Sequence, residues 1–67
     1  MNYSTAHISL DELGEIKVRF KWQNYEGCRL DVISAEINGE DVEDEIDELG
    51  YDLDMILWGW LEENEIQ

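Results

Sequence analysis

Between Glu15 and Tyr25 apolar and charged positions alternate without a slip: Ile16, Val18, Phe20 and Trp22 fall on one parity, Lys17, Arg19 and Lys21 on the other. Period two carried by β-branched and aromatic residues predicts a half-buried strand with its basic side toward solvent. Ahead of it, Ala6, Ile8 and Leu10 alternate with His7 and Ser9, a shorter strand. Asp11 to Gly14 supplies the turn between them, with Gly14 free to take φ > 0. Asn24-Tyr25-Glu26-Gly27 makes the next hairpin loop, and a third strand runs from about Cys28 to Ile37. Cys28, Leu30 and Val32 share one parity there, whereas Ile33, Ala35 and Ile37 share the other. One extra residue in a β-bulge at Val32-Ile33 produces such a switch. The pattern is that of a three-stranded antiparallel meander.

Asn38-Gly39 ends the sheet, and the period then changes. Val42, Ile46, Leu49, Leu53, Ile56 and Trp60 recur at spacings of 4, 3, 4, 3 and 4, one apolar stripe of a helix. Asp41 fits an N-cap, with acidic residues following where the helix dipole favours them. Gly50 interrupts the run. Leu49-Gly50-Tyr51-Asp52 fits a stop at a Gly C′ position followed by a new Asp N-cap. A short helix at about 41–49 and a longer one at about 52–64 are expected, the alternative being one helix bent at Gly50. The stripe keeps to one side in either case. The fold class is α+β: a three-stranded β-meander followed by a short and a longer C-terminal helix packed on one sheet face. Residues 1–67 form a single domain, with a sheet half at 1–37 and an acidic helical half at 38–67.

Composition now restricts function. Eighteen acidic and four basic residues among 67 give a formal charge of −14. A chain this short buries only about 60% of the surface exposed when it is unfolded, which leaves little room for a deep active site. Direct binding to DNA, RNA or an anionic membrane is disfavoured, since such binding rests on neutralising phosphates with Lys and Arg. Basic partners are favoured instead. No apolar run reaches membrane-spanning length, and Met1 to Leu10 lacks the basic start and apolar core of a signal peptide, so a cytoplasmic location is expected. The single Cys28 cannot form an internal disulfide and reads as a small buried filler. With one Cys and one His, His7, no zinc cluster can be assembled, and His7 reads as an exposed strand residue.

The charge is localised. Lys17, Arg19, Lys21 and Arg29 are the only bases, so residues 1–35 carry −1 and residues 36–67 carry −13. Glu40 to Glu48 holds seven carboxylates in nine residues. A solvated helix face is the ordinary reading of such a run. Against it, like charges at i,i+4 (Glu40/Asp44, Asp41/Glu45, Glu43/Asp47, Asp44/Glu48) each destabilise a helix by a few tenths of a kcal/mol. Twelve carboxylates lie between Glu40 and Glu65. Were that span largely helical it would be roughly 40 Å long, one charge per about 3.3 Å. A DNA strand carries one phosphate per roughly 3.4 Å. Nucleic-acid mimicry is therefore physically reasonable.

Other uses of these side chains fare worse. An EF-hand loop starting at Asp41 would place Ile46 at the position that needs Gly, so no specific metal site is expected. No nucleophile or partner His accompanies the carboxylates, so neither catalysis nor a cofactor is expected. On the longer helix, Trp60 projects with the core stripe, whereas Trp58 and Met55 lie off it. They are either edge packing or an interface spot, with Gly59 permitting close approach. The row Lys17, Arg19 and Lys21 serves to screen nearby carboxylates or to make the sheet resist edge pairing.

Val32-Ile33-Ser34-Ala35-Glu36-Ile37, then Asn38-Gly39-Glu40-Asp41-Val42, then an acidic helix ending in Trp and Leu, resembles small acidic proteins of bacteriophages and prophages over residues 15–63. In size and charge the chain also resembles the phage-encoded DNA-mimic inhibitors: anti-restriction, anti-CRISPR and uracil-DNA glycosylase inhibitor proteins. The resemblance implies a non-enzymatic protein that occupies the nucleic-acid groove of a host enzyme. Its partner-binding residues would be Glu40, Asp41, Glu43, Asp44, Asp47, Glu48, Asp52, Asp54, Trp58 and Glu62. Two alternatives stay open. One is a structural or adaptor protein, a homodimer through Met55, Trp58 and Gly59, whose acidity serves solubility. The other is a halophile's protein, acidic as an adaptation to salt.

Overall fold

The computed structural model describes residues 2–64. Four strands form one antiparallel sheet in the order β1 (Asn2–Leu10), β2 (Gly14–Gln23), β3 (Arg29–Ile37) and β4 (Glu40–Asp41), followed by helices α1 (Glu43–Leu49) and α2 (Leu53–Asn64). The chain is thus α+β with a β-meander. β1 is four residues longer at its start than the alternation of Ala6, Ile8 and Leu10 implies. The meander has a fourth strand in place of the expected three. Asn38 and Gly39 take φ of 51° and 87°, and this pair of positive values turns the chain back on itself rather than merely ending the sheet. Asn-Gly is the favoured pair for such a two-residue hairpin. Ile37 then pairs with Glu40 and Glu36 with Asp41.

Alternation along β2 does what period two requires. Ile16, Val18, Phe20 and Trp22 are buried, while Lys17 and Arg19 are exposed and Lys21 is half-buried. Register puts Val18 between Ala6 of β1 and Ala35 of β3, all fully buried. The parity switch in β3 is a bulge: Arg19 pairs with Ser34 and Phe20 with Val32, so Ile33 is skipped. That extra residue turns both Val32 and Ala35 toward the covered face and leaves Ile33 exposed.

Ile46 of α1 and Leu57 and Leu61 of α2 complete the core, each with no exposed surface. Two ring contacts tie α2 to β2. Phe20 meets Trp60 edge to face at 6.1 Å, and Trp22 meets Trp58 at 6.2 Å. The Trp22 indole N–H also donates to Ser4 Oγ at 3.0 Å, so the buried ring keeps its polar atom satisfied.

The chain breaks at Gly50 rather than bending. Gly50, with φ of 84°, donates its N–H to the Asp47 carbonyl at 3.1 Å, and Tyr51 donates to the Ile46 carbonyl at 3.3 Å. These two bonds form a Schellman stop. Asp52 then opens α2, its carboxylate accepting from the Met55 N–H at 3.3 Å and its carbonyl from Ile56 at 3.1 Å. The break resets the helical phase. Leu49, expected in the stripe, is 44% exposed, and the buried line on α2 is Leu57 and Leu61, with Trp60 half-buried beside it. Asp41 is not the helix N-cap. It lies in β4, and Val42 holds the cap position without a side-chain bond. The Asp41 carboxylate still caps the chain, accepting from the Glu43 N–H at 2.9 Å. Cys28, expected as buried filler, is exposed because β3 starts one residue later.

Leu57→Ala is expected to cost about 3 kcal/mol, most of the stability available to a domain this small. Gly50→Ala has open space for its Cβ, so the cost is conformational alone, about 1 kcal/mol. Urea denaturation of the two variants beside the parent checks both the order and the sizes.

Candidate functional site

The carboxylates of the second half divide among three places. Glu40 and Asp41 sit on β4; Glu43, Asp44, Glu45, Asp47 and Glu48 on α1; Asp54, Glu62 and Glu63 on α2, with Asp52 just before it. Glu65 lies outside the described residues. Of the four repulsive i,i+4 pairs expected, only Glu43/Asp47 and Asp44/Glu48 are helical, because Glu40 and Asp41 belong to a strand. A 40 Å acidic rod does not exist either: the longest dimension of the fold is 33 Å. Two helices and a turn fold the run back, so it forms a patch rather than a line of charge.

Part of the patch is concave. Glu43, Asp47, Asp52 and Asp54 line an open cleft of about 390 Å³ together with Tyr51, Val32 and Leu53. Glu43 and Asp47 reach it because i,i+4 residues project on one side of α1. Asp52 and Asp54 reach it because the Gly50 stop starts α2 beside the end of α1. Val32, Tyr51 and Leu53 were not among the expected site residues. Their only sequence signal is the break itself, which makes its flanking residues neighbours of α1.

The other expected residues lie elsewhere. Asp44 and Glu48 are exposed on α1 outside the cleft. Asp54, Trp58 and Glu62 fall at i, i+4 and i+8, along one side of α2. Trp58 is half-buried against Trp22 and Met55 is 71% exposed. The expected set is therefore an acidic patch on α1 and the start of α2, with Trp58 at a core edge and Glu62 near the far end of α2.

Chemically, such a cleft suits a cation with an aliphatic stem, as on Lys or Arg: four carboxylates with a smaller apolar contribution from Val32, Tyr51 and Leu53. Among the described residues no group of three His, Cys, Asp or Glu side chains is close enough to hold a metal ion. No described helix is long and apolar enough to cross a membrane. Set beside models of protein families, curated proteins and solved structures, the chain matches none.

Electrostatically the patch is held against local preference. The last turns of α1 and α2 contain no basic residue, while Asp47 and Glu48 on α1 and Glu62 and Glu63 on α2 lie where a helix dipole disfavours negative charge. The bases are on the exposed sheet face. Lys17 pairs across the strands with Glu36 and His7, Arg19 with Ser34 and Thr5, Lys21 with Asp31 and Tyr3. Their register suits screening of β3 carboxylates. They cannot protect a sheet edge, because β2 is an interior strand.

Asp47→Asn combined with Glu48→Gln relieves both like-charge pairs and the unfavourable dipole. A gain of about 0.5–1 kcal/mol at low salt is expected. Urea melts repeated at high salt should show that gain shrinking, since screening already relieves the parent.

Proposed function

We propose that the chain is a non-enzymatic acidic binding protein of the phage type that acts in the cytoplasm. It inhibits a host nucleic-acid-binding or defence protein by entering that protein's basic groove. In this reading the helices form one layer on the sheet, and Glu43, Asp47, Asp52 and Asp54 receive Lys or Arg side chains that otherwise hold phosphates. Asp44, Glu48, Glu40 and Asp41 extend the field that steers association. The observation that carries the reading is the retention of carboxylates in the last turns of both helices, without one base, at a cost to helix stability. Solubility alone needs a charge of only about 2–8 in magnitude for a small domain. Mimicry here would be of a patch of phosphates, not of an extended strand.

One observation favours a second reading, an adaptor role through α2. Met55 is exposed one helical turn from Trp58 and Gly59, and exposed apolar side chains of this kind anchor interfaces.

The test is inhibition of purified DNA-acting enzymes (a restriction endonuclease, a uracil-DNA glycosylase, a CRISPR nuclease) on their DNA substrates across a salt series. Binding that weakens steeply with salt is expected for at least one. The variant carrying Glu43→Gln, Asp44→Asn, Asp47→Asn and Glu48→Gln should lose at least tenfold in affinity while keeping its circular dichroism spectrum. Binding insensitive to both salt and these substitutions would refute the electrostatic mechanism.

A further inference from the structure

The two borders of the sheet are built differently. β4 is two residues long, both acidic, and leads through Val42 into α1. β1 is nine residues long and pairs, among the described residues, with β2 alone. Its register runs unbroken from Asn2 opposite Trp22 to Leu10 opposite Gly14, with no bulge. It contains no Asp, Glu, Lys, Arg or Pro, in a chain in which 33% of residues are charged. Charges, prolines, bulges and brevity are the devices that keep sheet edges from pairing. β4 has two of them and β1 has none.

We propose that β1 pairs antiparallel with β1 of a second copy, joining the two sheets about a two-fold axis. The strand is suited to itself. Centring the axis on Ala6, the middle residue, sets Ser4 opposite Ile8 of the second copy on the covered face. On the exposed face Thr5 lies opposite the second copy's His7, and Tyr3, 73% exposed here, opposite its Ser9. No charged residue of either strand meets another.

Charge also selects this edge for a second copy. α1 lies against β3, two strands away from β1. At about 4.8 Å per strand, the β3 strands of the two copies would stand about 24 Å apart, and each α1 with them. That is about three Debye lengths at physiological salt, so the carboxylates of the two α1 helices barely repel. Both patches also remain open. An interface through α1 would instead bring the densest carboxylates of two acidic chains together.

Sedimentation equilibrium from about 1 μM to about 1 mM, the range of weak association, should show the 7.9 kDa chain moving to twice that mass. Thr5→Lys with His7→Lys, both at exposed positions, sets lysines across the axis and should weaken association at least tenfold. Asp44→Asn with Glu45→Gln on α1 should leave it unchanged within about twofold, as screening requires. Amide hydrogen exchange reads the interface without any substitution: alternate β1 amides should gain protection between dilute and concentrated samples. A chain that stays at 7.9 kDa throughout overturns the proposal. So does a dimer that survives the lysine pair, one that is lost in Met55→Gln instead, or protection that appears on α2 rather than β1.

Discussion

Two aromatic contacts hold together halves of opposite character. Residues 1–35 are nearly neutral and supply most of the sheet, whereas residues 36–67 carry −13. Phe20 against Trp60 and Trp22 against Trp58 clamp α2 onto β2, with Leu57 and Leu61 buried in the same core. Each edge-to-face pair contributes about 0.5–1.5 kcal/mol beyond its buried area. That is a large share of the stability of a chain this small. Everything else, including the position of the acidic cleft, depends on α2 being held there.

Given that clamp, the distribution of charge follows. The covered sheet face has no buried polar side chain among the described residues, so the described carboxylates lie on the helices, in loops or on the open side of the strands. α1 is seven residues long, with only Ile46 buried, so nearly its whole circumference is free to be acidic. The bases are left on the exposed sheet face, opposite Glu36 and Asp31. Three surfaces result: an acidic one at α1 and the start of α2, a mixed one on the sheet, and an uncharged edge at β1. In the proposed uses the first receives a cationic partner and the last a second copy, and neither use obstructs the other.

Much of this was legible residue by residue. The repeat Ile16, Val18, Phe20, Trp22 marks β2; the parity switch at Ile33 marks the bulge; Leu49-Gly50-Tyr51-Asp52 marks the stop and restart. These are local signals, each decided by the backbone within a few residues. The fourth strand was also signalled, by Asn38-Gly39, but Glu40 and Asp41 are poor strand formers and read as helix. Leu49 misled because the 4, 3, 4 spacing runs through Gly50, although a Schellman stop cancels phase. Cys28 misled because parity does not say where a strand begins. The acidic residues were legible as a set, and their spatial grouping was not.

The amino-acid order by itself determined the element types other than β4, the bulge, the helix break and the confinement of negative charge to one half. Periodicity and capping chemistry act within a turn or a strand, and need nothing distant. Only the tertiary structure decided that Glu43 and Asp47 share a cleft with Asp52 and Asp54, and that the acidic run is a patch instead of a 40 Å rod. It also decided that an uncharged strand stands at the border of the sheet. Those three facts depend on how α1, α2 and the strands lie relative to one another. Packing of buried apolar side chains sets that arrangement, and the charged positions simply follow.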